Sequence, residues 1–307
     1  MTLMTLKGRQ IEYNGEHPAD KIDIVHVDGY DLVVYTYGTG DNVVLGLNGG
    51  PGLPCDYLRE PHVFLKDEGY RFVIFDQLGC GQSDKPKNKD LWSISRYVEE
   101  LETIRKTLNL GKVHLLGHSW GGWLAIEYCL TYEDNIKTLI LENTCGDMPH
   151  LISELNRLRS TLGSQTVAMM QYHEAMGRLN HPEYEAALTL LNYRHVCRNK
   201  EWAPSLHRSL NDWNMDVYGT MQGPNEFLYT GNLKDWNRLE ELKKVSTPAF
   251  ISVGQHDELP PSCAYKMHLS LKNSSIKVFQ NSSHMPFYEE PASYKNELLT
   301  FLSDNTG

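Results

Sequence analysis

Two short runs near the start of the chain, residues 21–27 and 31–38, alternate apolar and polar side chains and are separated by Asp28-Gly29. Period-two alternation around an Asp-Gly pair predicts an antiparallel hairpin with one face turned to a core. The pattern then changes. Val43-Val44-Leu45-Gly46-Leu47 is apolar throughout, and residues 71–75, 113–116, 136–141, 249–253 and 276–279 are largely so. Strands covered on both faces lose their alternation, so these runs predict buried, parallel strands. Between them lie helical stretches. The clearest is 94–108, with Ile94, Tyr97, Val98, Leu101, Ile104 and Leu108 at helical spacing. A weaker one covers 56–68, and others follow at 120–132, 261–271 and 291–302. Strand and helix in turn predict an α/β fold around a mostly parallel sheet flanked by helices.

The alternation stops after Asn143. From 147 to 238 there is no convincing strand; helical stretches at 151–162, 164–178 and 182–196 are rich in Met, Tyr, Trp and His, and Gly223-Pro224-Asn225-Glu226-Phe227 breaks the block near its end. The simplest organisation is a core of residues 1–146 and 239–307 interrupted by an all-helical cap, 147–238. A cap leaving the carboxyl ends of the strands would cover a site there, because open α/β sheets bind ligands at that edge.

Composition narrows the classes. With 307 residues and 40% hydrophobic content the chain can bury a large core. The net charge is −10, from 29 basic and 39 acidic residues, without a basic block, which argues against nucleic acid or an anionic membrane as partner. No apolar run has the length of a membrane span, and the first residues lack that of a signal peptide. Six cysteines (55, 80, 129, 145, 197 and 263) are scattered without metal-ligand spacing. They read as reduced thiols of a cytoplasmic protein, with no structural metal expected.

The candidate chemistry centres on Gly117-His118-Ser119-Trp120-Gly121, G-x-S-x-G between a strand and a helix. Such a turn lifts a serine hydroxyl above the sheet, with a helix N-terminus behind it to favour negative charge. The bland alternative is a glycine-containing turn with an incidental serine. A serine nucleophile needs a base and the base an orienting carboxylate, in the chain order Ser, acid, His. Asp257 follows the strand at 249–253 and His284 the strand at 276–279, which would bring both to the edge that carries Ser119. Glu142 also ends a strand and competes for the acid role. His118 and His256 flank the site. Asn48-Gly49-Gly50-Pro51-Gly52 has more glycine than a turn requires; its Gly50 N–H and that of Trp120 are the candidate oxyanion donors. The glycines of 79–81 form neither a dinucleotide fingerprint nor a phosphate loop, and no cofactor is expected.

Taken together, Gly49-Gly50-Pro51-Gly52, the run from Asp76 to Ser83, Gly117-His118-Ser119-Trp120-Gly121-Gly122, Gly223-Pro224-Asn225-Glu226-Phe227, Asp257-Glu258 and Ser283-His284 resemble the proline iminopeptidase family of α/β hydrolases, which includes archaeal tricorn-interacting aminopeptidases. The resemblance spans nearly the whole chain, and the Gly-Pro-Asn-Glu stretch is its most specific part. One departure is Asn48, where the family usually has His. The resemblance implies the α/β-hydrolase fold and release of an N-terminal residue from short peptides, amino-acid amides or arylamides. It also implies that Glu226 and Glu258 hold the substrate ammonium. Proline preference rests on it too, with Phe227, Tyr229, Trp202 and Trp213 as aromatic candidates for the pocket wall. On residues alone Glu226 could be a solvated loop acid, and Glu258 a helix N-terminal acid ahead of Pro260-Pro261. The rival functions are an amino-acid amidase, a carboxylesterase or amidase acting on uncharged acyl groups, and a non-catalytic ligand receptor.

Overall fold

A computed structural model describes residues 2–305. Its main sheet has eight strands in the order β10-β9-β8-β7-β5-β6-β4-β3. The hairpin read from the alternation is β3 (Lys21–Val27) and β4 (Tyr30–Tyr37), and it closes one edge of this sheet. Strands β5 (Val43–Leu47), β6 (Arg71–Phe75), β7 (Val113–His118), β8 (Ile136–Glu142), β9 (Ala249–Gly254) and β10 (Ser274–Phe279) are parallel to one another. A second, two-stranded antiparallel sheet precedes them, β1 (Thr2–Leu6) and β2 (Arg9–Tyr13). The sequence reading has no element there.

Apart from the edge strand β10, the parallel strands read as largely apolar runs because two cores sandwich them. Leu45, Val73, Leu115, Leu139 and Ile251 point into one, with α2 (Ile94–Thr107) and α3 (Trp120–Tyr132). Val44, Ile74, Leu116, Ile140 and Phe250 point into the other, together with residues of α1 (Asp56–His62) and α12 (Pro291–Asp304). Complete burial of one such side chain contributes about 1.5–3 kcal/mol, so a charged residue at any of these positions would be strongly disfavoured.

Between β8 and β9 come α4 (Met148–Ser160), α5 (Ser164–Ala175), α6 (Pro182–His195), α7 (Pro204–Asn211), α8 (Met215–Met221) and the single turn α9 (Leu239–Leu242). The first three match the expected helical stretches with ends shifted by a few residues. Helices α7 and α8 are additional. The helix expected at 56–68 ends as α-helix at His62 and continues as a tighter turn, 63–66. After β9 follow α10 (Pro261–Ser270), β10 and the short α11 (Pro286–Glu289) ahead of α12.

Helix α3 lies unusually close to the sheet. A Cβ on Gly121 would stand 2.0 Å from the Leu47 carbonyl oxygen, and one on Gly117 would stand 2.2 Å from that of Gly121. Backbone fills both positions, so nothing flexible can yield. Gly121→Ala should therefore lower stability by on the order of 3 kcal/mol or more, read from the urea unfolding midpoint. An unchanged midpoint would contradict the close seating of α3.

Candidate active site

Ser119, Asp257, Glu258, His284 and Gly50 lie past the carboxyl ends of the parallel strands β7, β9, β10 and β5, and Glu226 comes from the segment after α8. Ser119 follows β7 directly and precedes the first helical residue, Trp120, with φ 57° and ψ −123°. This is a sparsely populated conformation for a non-glycine residue. Asp257 lies three residues past the end of β9, and His284 lies five past the end of β10.

Asp257 Oδ1 is 2.7 Å from His284 Nδ1 and also accepts the Leu259 N–H at 2.9 Å. Its other oxygen accepts from Asn143 Nδ2 at 2.6 Å, and the same amide reaches the Ser283 carbonyl at 3.1 Å. A carboxylate so supplied holds the proton of His284 on Nδ1 and leaves Nε2 as the basic nitrogen. Burial alone would lower the His284 pKa, but the charge and hydrogen bond of Asp257, then Glu226 and Glu289, outweigh it and raise the value.

A hydrogen-bond relay joins the loop after β5 to this histidine. The Gly49 N–H donates to Tyr57 Oη at 2.6 Å, and that hydroxyl lies 2.8 Å from His118 Nδ1. His118 Nε2 lies 2.8 Å from the His284 carbonyl oxygen. A carbonyl only accepts, so Nε2 of His118 carries the hydrogen and Nδ1 accepts from tyrosine. Burial and the nearby His284 push the His118 pKa well below its ordinary value, which keeps this ring neutral. On the loop's other side Asn48 Nδ2 donates to the Leu53 carbonyl at 2.5 Å, while Gln77 Nε2 reaches the Asn48 carbonyl at 3.1 Å. Gln77 Oε1 in turn accepts from the Trp120 indole at 2.8 Å.

Ser119, His284, Gly50, Glu226 and Glu258 all line one cavity of about 130 Å³, whose remaining wall includes Tyr57, Trp202, Leu206, Leu210 and Trp213. Glu226 faces it half-buried, with Oε2 accepting from Gln222 Nε2 at 2.8 Å, an amide that also reaches the Tyr218 hydroxyl at 2.8 Å. Glu258 is fully buried, and neither of its carboxyl oxygens has a hydrogen-bond partner among the described residues. Its Oε1 is 3.7 Å from His284 Nε2. Burial raises the pKa of both acids, with Glu258 moved well above the ordinary carboxyl range, where the charges of Glu226 and Asp257 add to the effect.

Residues 42–291 match the family model of the α/β hydrolase fold. A proline iminopeptidase of Saccharolobus solfataricus is 35% identical over 97% of this chain and 95% of its own length. One from Heyndrickxia coagulans is 36% identical over 86% of this chain and 91% of its own. The chain belongs to the proline iminopeptidase family of α/β hydrolases. A crystal structure of the proline iminopeptidase of Mycobacterium smegmatis superimposes with a TM-score of 0.85 at 27% identity, covering 93% of this chain and 98% of that one. The structure of VinJ gives 0.90 at 29% identity, covering 94% and 100%.

In this family member the expected residues converge, with one correction. Phe227 and Tyr229 do not line the cavity; both are buried in the apolar core, Tyr229 against Trp123 with ring centroids 6.3 Å apart. Glu142, the competing acid, is fully buried away from His284. Its Oε1 is hydrogen-bonded to Tyr294 Oη at 2.5 Å and its Oε2 is 3.8 Å from His62 Nε2. Asn143 and Tyr57 were not singled out from the sequence; Asn143's place immediately after a strand end was the only signal. One group outside the cavity has metal-ligand composition: donor atoms of His173, His181 and Glu183 lie within 4.8 Å of one another. The two imidazoles stack at 4.0 Å and 19°, so their in-plane lone pairs do not converge on one ion.

Burial pushes the Glu142 carboxyl up to about 8, offset only in part by its hydrogen bond to Tyr294, from an ordinary 4.5. Between those values the unfolded chain has lost this proton and the folded one keeps it. The group therefore makes stability fall as pH rises through that window. Glu142→Gln keeps a hydrogen-bonding partner for Tyr294 and has no proton to lose. Its unfolding free energy should decline less than wild type's between about pH 5 and 8, by up to a few kcal/mol. Parallel pH curves in denaturant titrations would refute a neutral Glu142.

Proposed function

We propose that the chain is a serine peptidase that releases an N-terminal residue, proline foremost, from short peptides, amino-acid amides or arylamides. The observation that carries this reading is the pair Glu226 and Glu258 inside the cavity shared by Ser119 and His284. Two acids in an otherwise apolar pocket fit a ligand with one cationic end, because charge-assisted hydrogen bonds both hold and orient it. The cavity, about 130 Å³, is far smaller than the roughly 300–1,000 Å³ of drug-sized ligand sites, which suits one small residue.

In this mechanism the ammonium docks between Glu226 and Glu258 and sets the first carbonyl over Ser119. Ser119 attacks as His284 takes its proton on Nε2, while Asp257 keeps the Nδ1 proton and stabilises the imidazolium. The developing oxyanion is met by the N–H groups of Gly50 and Trp120. First-turn N–H groups of a helix have no intrahelical partner, which suits Trp120 for this task. The Gly49 N–H is already committed to Tyr57, which favours its neighbour. His284 then protonates the leaving amine, and water releases the residue. No metal or organic cofactor takes part. Residues 147–238 act as a cap over a core of 1–146 and 239–307, which limits access to short substrates. We assign the enzyme to the cytoplasm, where its six buried free cysteines would stay reduced. No helix among the described residues is long and apolar enough to cross a membrane.

The test compares proline, alanine and phenylalanine arylamides, an amino-acid amide and a p-nitrophenyl ester by kcat/KM, each amine with and without N-acetylation. Acetylation removes the cation, and losing its charge-assisted bonds should cost about 3 kcal/mol, roughly a hundredfold in kcat/KM. Unchanged turnover of the acetylated substrates would leave an esterase or amidase acting on uncharged acyl groups. Ser119→Ala should abolish turnover with the fold intact. Glu226→Gln should depress only the free-amine substrates; an equal loss on the ester would point to collapse of the cap.

A further inference from the structure

The resting site holds three carboxyl groups around one imidazole, and their donors are unequally distributed. Asp257 receives the His284, Leu259 and Asn143 hydrogen bonds, and Glu226 receives that of Gln222. Glu258 receives none from the described residues, although it is fully buried. An ionised carboxylate without donors is not stable in such surroundings. Among the described residues the basic nitrogen paired with it is His284 Nε2, 3.7 Å from Oε1. That is the atom the proposed chemistry needs as a base.

We propose that in the empty enzyme His284 Nε2 and Glu258 share a proton that masks the base, and that the arriving substrate ammonium expels this proton and unmasks it. The inference rests on the reading that the substrate amine docks at Glu226 and Glu258. The proton balance is simple. Before binding, the group formed by His284, Glu226 and Glu258 carries one proton more than catalysis allows. The ammonium supplies hydrogen bonds and positive charge to both glutamates, so Glu258 becomes stable as a carboxylate. The surplus proton passes to water, and Nε2 presents its lone pair to the Ser119 hydroxyl. No covalent bond changes in this step.

The charged and titratable neighbours fit this sequence. Asp257 and Glu258 come from the loop after β9, Glu226 from the segment after α8, Glu289 from α11 and His118 from the end of β7. The acids favour the protonated imidazole, and His118, being neutral, does not oppose it strongly. Burial also holds Glu226 and Glu258 above the ordinary carboxyl range, with the charge of Asp257 adding at both and that of Glu226 adding at Glu258, as a proton-retaining pair must be. One consequence is selectivity in the chemical step as well as in binding. A substrate without the amine meets a base that is still protonated.

Calorimetric titration with L-prolinol, an amine with no scissile carbonyl, tests this at neutral pH in phosphate and in Tris, whose ionisation enthalpies differ. Wild type should release close to one proton per ligand bound, seen as a buffer-dependent enthalpy. Glu258→Gln should bind more weakly, through Glu226, and release almost none. A second readout needs no amine. The rate at which a fluorophosphonate labels Ser119 should fall in acid for wild type, and Glu258→Gln should shift that limb by about one unit to lower pH. Prolinol binding that depends on Glu226 but releases no proton, or an unmoved acid limb, overturns the masked base and leaves the docking reading intact. Prolinol affinity indifferent to Glu226→Gln overturns the docking reading itself.

Discussion

The seating of α3 on the ends of β5 and β7 is the constraint from which the site follows. With a backbone oxygen 2.0 Å from where a Gly121 side chain would begin, the first turn of this helix has no freedom to retreat from the sheet. Ser119, wedged between strand and helix, is forced to φ 57°. Such a conformation costs about 1–3 kcal/mol and persists only where its surroundings over-determine it. Here they do: Trp120, Trp123, Leu124, Ile126 and Tyr128 are all buried, so α3 is anchored around most of its circumference. The same closeness brings the glycine loop alongside, since a Cβ on Gly49 would lie 3.0 Å from that of Ser119. The strain of the elbow and the nearness of the oxyanion loop are one packing fact seen twice.

Once the site is that tightly enclosed, the supply of hydrogen-bond donors decides which acids can carry charge. Asp257 has three donors and stands as the orienting carboxylate. Glu226 has one, Gln222, which fixes its direction without satisfying it. Glu142 has one partner, and its pKa near 8 marks it as a neutral structural acid despite ending a strand beside Ser119. Glu258 has none among the described residues, the shortfall that the proposed substrate cation corrects. Four buried acids of similar intrinsic strength are thereby sorted into different tasks by what surrounds them.

This ordering explains what could be read from the sequence. The parallel strands were legible because burial on both faces leaves unbroken apolar runs, and Ser119, Asp257 and His284 were legible because each follows such a run within a few residues. Helices α7 and α8 were not, being eight and seven residues long, too short for a periodic pattern to emerge. Yet Leu206 and Leu210 of α7 form part of the cavity wall. The strands β1 and β2 lack a clear signature for a different reason: each is five residues long, Leu3 of β1 is exposed, and the buried stripe of β2 is only Ile11 and Tyr13. Phe227 and Tyr229 misled through adjacency. They neighbour Glu226 in sequence, but the turn bridging Asn225 and Leu228 sends them into the core while the acid faces the cavity. Tyr57 and Asn143 act through hydrogen bonds to residues distant in sequence, Tyr57 to His118 and Asn143 to Asp257 and Ser283, which no local pattern encodes.

Asn48, the departure from the family's usual histidine, bears on how the two oxyanion donors stay in register. Its amide offers both a donor and an acceptor, and the structure uses both: Nδ2 closes the loop onto the Leu53 carbonyl, and Oδ1 lies 3.3 Å from Gln77 Nε2. Gln77 then holds the indole N–H of Trp120, the residue whose backbone N–H is the second proposed donor. The opposite flank of the same loop is held by Tyr57 and His118, which end on the His284 carbonyl. Gly50 thus sits between two networks, one anchored on the elbow and one on the base. A displacement of either anchor would move the donor relative to the other, so nucleophile, base and oxyanion donors hold their geometry as a unit. An asparagine at position 48 keeps that unit closed because it bridges two partners at once, a requirement of hydrogen-bonding valence that a neutral imidazole, with one donor and one acceptor, would also meet.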